Sequence, residues 1–138
     1  MQSFFRCGIV AVLASASLAQ AADLTVEVAG LKSAKGKVLV AVFQRSEDFL
    51  TLPMRTATVD AQPGKVQLTL ASMLPGDYAL SLFQDENGNG KLDRNPVGMP
   101  IEPYGFSNDA AGSFGPPTFQ QSLTHLAAAG NTVTVNLR

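Results

Sequence analysis

The sequence has one cysteine, one histidine, no tryptophan and no run of basic side chains. Each scarcity removes a class of function. A single thiol, Cys7, forms no internal disulfide, and one His with one Cys falls short of the ligand set of a zinc centre. Ten Lys and Arg stand against eleven Asp and Glu, so no basic surface neutralises a nucleic-acid backbone or draws the chain onto anionic lipid. Nucleic acid is not an expected partner. A Gly-x-Ser-x-Gly nucleophile elbow is also missing. His125, within Leu123-Thr124-His125-Leu126, reads as an ordinary strand-end or surface residue. Paired carboxylates could serve a hydrolase of the glycosidase type, but no second pair of acids is marked out. The chain is expected not to be an enzyme.

Long apolar runs are lacking as well, and the one near the start is short. Gly8 to Ala19 holds about a dozen residues, where a membrane span takes roughly 20. Met1–Arg6 precedes it with one positive charge, and Ala19-Gln20-Ala21 places small residues where signal peptidase reads them. The pattern predicts a cleavable signal peptide over residues 1–21 and a mature domain over 22–138, periplasmic or secreted, without a transmembrane segment. Cys7 lies before the apolar stretch rather than at its end, so no lipid anchor is expected. The mature chain keeps nine basic and eleven acidic residues, a net charge near −2, and is the size of one domain. With no thiol left in an oxidising compartment, core packing or a metal must hold it. A monomer is expected.

What is present is strand periodicity. Leu24-Thr25-Val26-Glu27-Val28 alternates, placing Leu24, Val26 and Val28 on one face, and Val38–Phe43 is apolar on both faces, as in a central strand. Gly30–Gly36 reads as a hairpin connection. Ser46–Leu50 reads as one helical turn capped by Ser46. Arg55–Asp60 and Lys65–Leu70 flank Gln62-Pro63-Gly64 and read as a hairpin with Val66, Leu68 and Leu70 inward. Leu74-Pro75-Gly76-Asp77 has the residues of a type II turn. Tyr78–Gln84 follows as a strand, and Asn131–Leu137 alternates with Val133, Val135 and Leu137 inward. Short strands with turns between them and no long amphipathic helix predict an all-β fold, a single antiparallel β-sandwich.

The exception is Asp85–Pro117, rich in Gly, Asn, Asp and Pro and too long for an idle loop. It opens with Asp85-Glu86-Asn87-Gly88-Asn89-Gly90-Lys91-Leu92-Asp93. Calcium takes six to eight oxygens, and a tight loop offering one at every second residue wraps it. Asp85, Asn87 and Asn89 hold positions one, three and five, Gly90 the sharp turn, Lys91 a backbone carbonyl and Asp93 position nine. Position twelve of an EF-hand is a bidentate Glu, and here it is Pro96. The missing oxygens fall to Glu102, Asp109 or water. The other reading of this run is a positive-φ turn with Asp85 and Asp93 as its capping acids. Further on, Tyr104, Phe106, Phe114 and Phe119 lie among glycines and prolines. They are candidates either for an exposed platform that takes sugar, peptide or another envelope or extracellular ligand, or for a lid folded back over one end of the sandwich.

The run Leu74-Pro75-Gly76-Asp77-Tyr78, the acidic loop, Gly98-Met99-Pro100, Tyr104–Asn108 and Phe114–Phe119 occur in one order. In this the chain resembles the exported bacterial family catalogued as domain of unknown function 2141, over essentially its whole mature length. Similar sequences often carry His immediately before the Asp of the loop, whereas this one has Gln84. A looser resemblance is to prealbumin-like and B-type repeat modules of bacterial surface proteins. It implies a prealbumin-like or immunoglobulin-like sandwich in which such a loop binds structural calcium.

Overall fold

Alternation builds the first strand, β1 (Ala22–Leu31), in which Leu24, Val26 and Val28 are buried and Asp23 is exposed. This is the period-two signature of a sheet covered on one face. Further strands are β2 (Lys37–Phe43), β3 (Arg55–Asp60), β4 (Gly64–Met73), β5 (Gly76–Asp85), β6 (Tyr104–Phe106), β7 (Leu123–Leu126) and β8 (Asn131–Asn136). The computed structural model describes residues 20–138. The expected signal peptide lies, except for its last two residues, outside the described residues.

Hydrogen bonding sorts the strands into two sheets. One has the order β4-β1-β8, and the other runs β3-β2-β5, with β6 and β7 sharing the remaining edge of β5. Among the described residues there is no α-helix, only three short 3-10 turns, and no helix long and apolar enough to cross a membrane. The core draws on both sheets: Leu24, Val26, Leu70 and Val135 from the first, Val40, Val42, Leu80 and Leu126 from the second. Fully burying such a side chain stabilises by about 1.5–3 kcal/mol. The described residues hold no cysteine, so this layer rather than a disulfide holds the strands together.

Several local expectations change. Gly30–Gly36 and the Gln62-Pro63-Gly64 turn are not hairpins, because β1 and β4 belong to one sheet and β2 and β3 to the other. Turn residues encode a reversal of the chain, but which strand receives it is decided by long-range pairing, here β1 with β4 and β2 with β5. The expectation of a wholly antiparallel arrangement is also corrected, since β8 runs parallel to β1. Ser46 is not a cap: it begins the 3-10 turn Ser46–Asp48, and Arg45 precedes it without a side-chain cap. Strands β6 and β7, three and four residues long, are too brief to show a period.

The Leu74–Asp77 turn carries the chain from β4 to β5, hence from sheet to sheet. Gly76 has φ +151°, unlike the roughly +80° of a type II turn. The corner is fixed instead by Tyr78, whose ring is buried and whose hydroxyl donates to the Leu74 carbonyl oxygen at 2.5 Å. The arrangement resembles the tyrosine corner of two-sheet β-proteins. Burial pushes the phenol pKa above its ordinary value. A raised pKa on a group that is neutral in the fold leaves its stability contribution intact below the unfolded-state pKa, and the contribution is lost as pH rises through the folded value. Tyr78→Phe is therefore expected to lower stability by about 1 kcal/mol near pH 7 and to flatten the alkaline loss above about pH 10. Urea denaturation at the two pH values reads both effects. An unchanged alkaline slope would assign that loss to other groups.

Candidate functional site

Strand β5 delivers Asp85 at its last position, 4% exposed, and the chain then winds around that carboxylate. Asp85 Oδ1 accepts the Asn89 backbone N–H at 3.2 Å, and Oδ2 accepts that of Gly90 at 2.8 Å. Asn87 Oδ1 accepts from the Asn89 N–H and Asn89 Oδ1 from the Lys91 N–H, two side-chain-closed turns in succession. Gly88 and Gly90 take φ of +71° and +74°, which lets the loop coil this tightly. Asp93 closes the ring. Its two carboxylate oxygens accept the side-chain amides of Asn87 and Asn89 at 2.5 and 2.7 Å.

Of the two acids left to complete the loop, the structure brings one to it. Glu102, 7% exposed, accepts the backbone N–H of Glu86 at 3.1 Å and that of Asp93 at 3.0 Å, one on each oxygen. It clasps the beginning and the end of the loop. Asp109 lies elsewhere, accepting the Asn136 backbone N–H and side-chain amide and so tethering the 3-10 turn Ser107–Asp109 to β8. The Lys91 side chain is exposed. Among the described residues no three His, Cys, Asp or Glu side chains form a metal-holding group. The side chains that meet in the loop are two carboxylates and two amides whose nitrogens face Asp93, with no thiolate or imidazole for zinc.

The aromatic segment divides. Tyr104 and Phe106 belong to β6, paired with Phe83 and Ser81 of β5. Phe106 is buried, and Phe49 lies at the centre of a ring cluster, 5.3 Å from Phe43, 5.7 Å from Phe119 and 6.4 Å from Phe106 between centroids. Because Val40 and Val42 face the main core, Phe43 and its cluster occupy the opposite face of the larger sheet. Tyr104 is half-buried, edge-on to Phe106. Phe114 is fully exposed. His125 Nδ1 lies 2.8 Å from Asp77 Oδ1, an exposed pair across the β5–β7 ladder.

Residues 26–134 match the family described as an uncharacterized protein conserved in bacteria (DUF2141). The chain belongs to this family. No curated protein and no solved structure matches it. The DUF2141 span contains the whole acidic loop, Glu102 and the ring cluster, and among the strands it cuts only the start of β1 and the end of β8.

Two supports of the loop in this DUF2141 chain escape sequence reasoning. Gly36, at φ +67°, passes so close to the end of β5 that a Cβ there would meet the Asp85 carbonyl oxygen at 1.9 Å. Gln84, fully buried, donates to the Lys35 carbonyl at 2.8 Å and to the Ser33 hydroxyl and carbonyl oxygens at 3.1 and 3.3 Å. Its Oε1 has no partner among the described residues. Turning the amide over would set that oxygen against two carbonyls, which is worse. The sequence marks Gln84 only as the position where similar sequences carry His, and nothing local shows that its amide is turned toward Ser33 and Lys35.

Proposed function

We propose that the chain is an exported, noncatalytic β-sandwich binding module whose Asp85–Asp93 loop takes up calcium to order the domain. The observation that carries this reading is convergence: the Asn87 and Asn89 amides both reach the Asp93 carboxylate, while Asp85 holds the same turn from the other side. A half-turn of each amide exchanges its nitrogen for its oxygen, at the cost of the hydrogen bonds that the two Oδ1 atoms accept from the Asn89 and Lys91 backbone N–H groups. With the two carboxylates and the Lys91 carbonyl, that rotation yields oxygens at loop positions one, three, five, seven and nine, the order in which calcium loops supply them. Water or Glu102 completes the shell, since a carboxylate oxygen that accepts one backbone N–H, as those of Asp85 and Glu102 do, keeps a lone pair for a cation. Two sheets sharing one core, with a tyrosine-corner contact between β4 and β5, support an immunoglobulin-like or prealbumin-like sandwich. A first strand beginning at Ala22 supports a mature chain that starts there.

Two carboxylates and two amides hold calcium weakly. A dissociation constant near 0.1 mM, against about 1 mM extracellular calcium, gives roughly 1.4 kcal/mol of stabilisation. The melting temperature is expected to rise by roughly 5 °C in calcium over chelator. Magnesium, which demands a tight octahedral shell, should give little, and a variant with Asp85→Asn and Asp93→Asn should not respond. Identical melting curves in calcium, magnesium and chelator would reduce the motif to a turn.

A second reading, sugar or peptide binding through residues 104–119, keeps one favouring observation, the full exposure of Phe114. Phe106 and Phe119 are engaged in the ring cluster.

A further inference from the structure

We propose that the cleft between segments 92–100 and 112–116 binds an aliphatic monocarboxylate, its chain along the cleft and its carboxylate on Arg94. The inference deepens the reading of the domain as a binding module and rests on it, but does not require calcium. The cleft has a volume of about 540 Å³ and lies over β6. Pockets of roughly 300–1,000 Å³ accept small organic ligands.

Its walls are apolar and built. Leu92, Val97, Met99, Tyr104 and Phe114 line it, and Val97, Met99 and Phe114 are each more than half exposed although the fold has its core elsewhere. Val97 and Met99 are presented by a knotted turn. Asn95 Oδ1 accepts both their N–H groups at 3.1 and 2.9 Å, the Asn95 N–H donates to the Met99 carbonyl at 2.8 Å, and Arg94 pairs with Pro100. A turn held this firmly displays its apolar side chains by construction. Opposite, Phe114 has φ +60°, a conformation that costs a bulky residue about 1–3 kcal/mol, and its ring gains no burial in return. Contiguous exposed apolar surface of this kind marks a binding site.

The charge selects the ligand. Arg94 is the one charged side chain lining the cleft. Its Nη1 donates to the Gly98 carbonyl at 2.9 Å, which orients the guanidinium, and among the described residues no carboxylate pairs with it. The remaining N–H groups form a fork that matches a carboxylate. A sugar fits worse. The only side-chain polar groups in the lining are the guanidinium and the Tyr104 phenol, so most hydroxyls of a sugar would be desolvated without partners.

Calorimetric titration of the purified protein, in calcium-containing buffer, with hexanoate, octanoate, decanoate and octanol tests this. Affinity is expected to rise roughly fourfold per added methylene, as burial of a CH₂ dictates. Octanoate should bind about tenfold more tightly than octanol, a preference that Arg94→Gln removes while octanol binding persists. Met99→Glu, at an exposed position, should abolish binding of every chain with the melting temperature unchanged. Equal affinity for octanoate and octanol, or an unaltered preference in Arg94→Gln, overturns the carboxylate assignment. So does self-association that Met99→Glu abolishes, which would give the cleft to a second copy. Failure of all the chains in a protein that still binds oligosaccharides or peptides sinks this proposal alone, and failure of those as well sinks the binding-module reading with it.

Discussion

Gly36→Ala is expected to destabilise the domain by about 3 kcal/mol or more, the range of a strained backbone combined with a forced core displacement. The added methyl would stand 1.9 Å from the Asp85 carbonyl oxygen and 2.9 Å from its carbonyl carbon. Both atoms are backbone and cannot swing aside as a side-chain tip can. Lys37 pairs with Asp85 in the β2–β5 ladder, and Gly36 itself accepts the Ala61 N–H, so a shift at this point pulls on both neighbours of β2. Gly88→Ala is the matched comparison: its φ of +71° is nearly the same, but a Cβ there meets nothing within 4 Å. Only the conformational term remains, about 1–2 kcal/mol. Urea midpoints of the two variants separate the contributions. Equal losses would mean that left-handed backbone, rather than close approach, dominates at both sites. Because the clash pushes on Asp85, Gly36→Ala should also weaken any calcium-dependent rise in melting temperature.

The same residues show what a sequence does and does not reveal. Alternation in Leu24–Val28 and Val133–Leu137 is a local property of the chain, set by which side chains avoid water, and it predicts strands and inward faces. Pairing is not local. Nothing in Gly30–Gly36 distinguishes a hairpin from a passage between sheets, because both need a reversal and differ only in where Lys37 onward finds partners. The loop was legible because its geometry is encoded in contiguous residues: glycines supply the dihedrals and Asp and Asn supply oxygens at fixed spacing. Glu102 and Asp109 looked equivalent at a distance in sequence, and only the return of the chain into β6 brings the first of them back to Glu86 and Asp93. The aromatics divide for a like reason. Phe106 is buried because β6 docks on β5, a three-residue pairing that leaves no periodic trace, and Phe114, eight positions on, has no strand to carry it inward.

Glu102→Ala should damage the loop while leaving its own sequence intact, lowering stability by about 3 kcal/mol. A buried carboxylate accepting two backbone N–H groups makes two charge-assisted hydrogen bonds, each worth about 1.5–3 kcal/mol, and its removal leaves both donors with no protein acceptor in its place. The two donors, Glu86 and Asp93, stand at opposite ends of the loop, so the clasp also fixes the loop's span. Its loss lets Asp93 leave Asn87 and Asn89, and calcium would then have to gather ligands that the wild-type fold holds together. The variant is therefore expected to melt lower and, if the loop takes up calcium as proposed, to need more of it for the same rise in melting temperature, with faster hydrogen exchange at the Glu86 and Asp93 amides than at strand amides of β2. Glu102→Gln retains one carbonyl oxygen and should lose about half as much. If Glu102→Ala melts within about 0.5 kcal/mol of wild type, the size of an ordinary surface substitution, water replaces the carboxylate and the loop closes on its own asparagines.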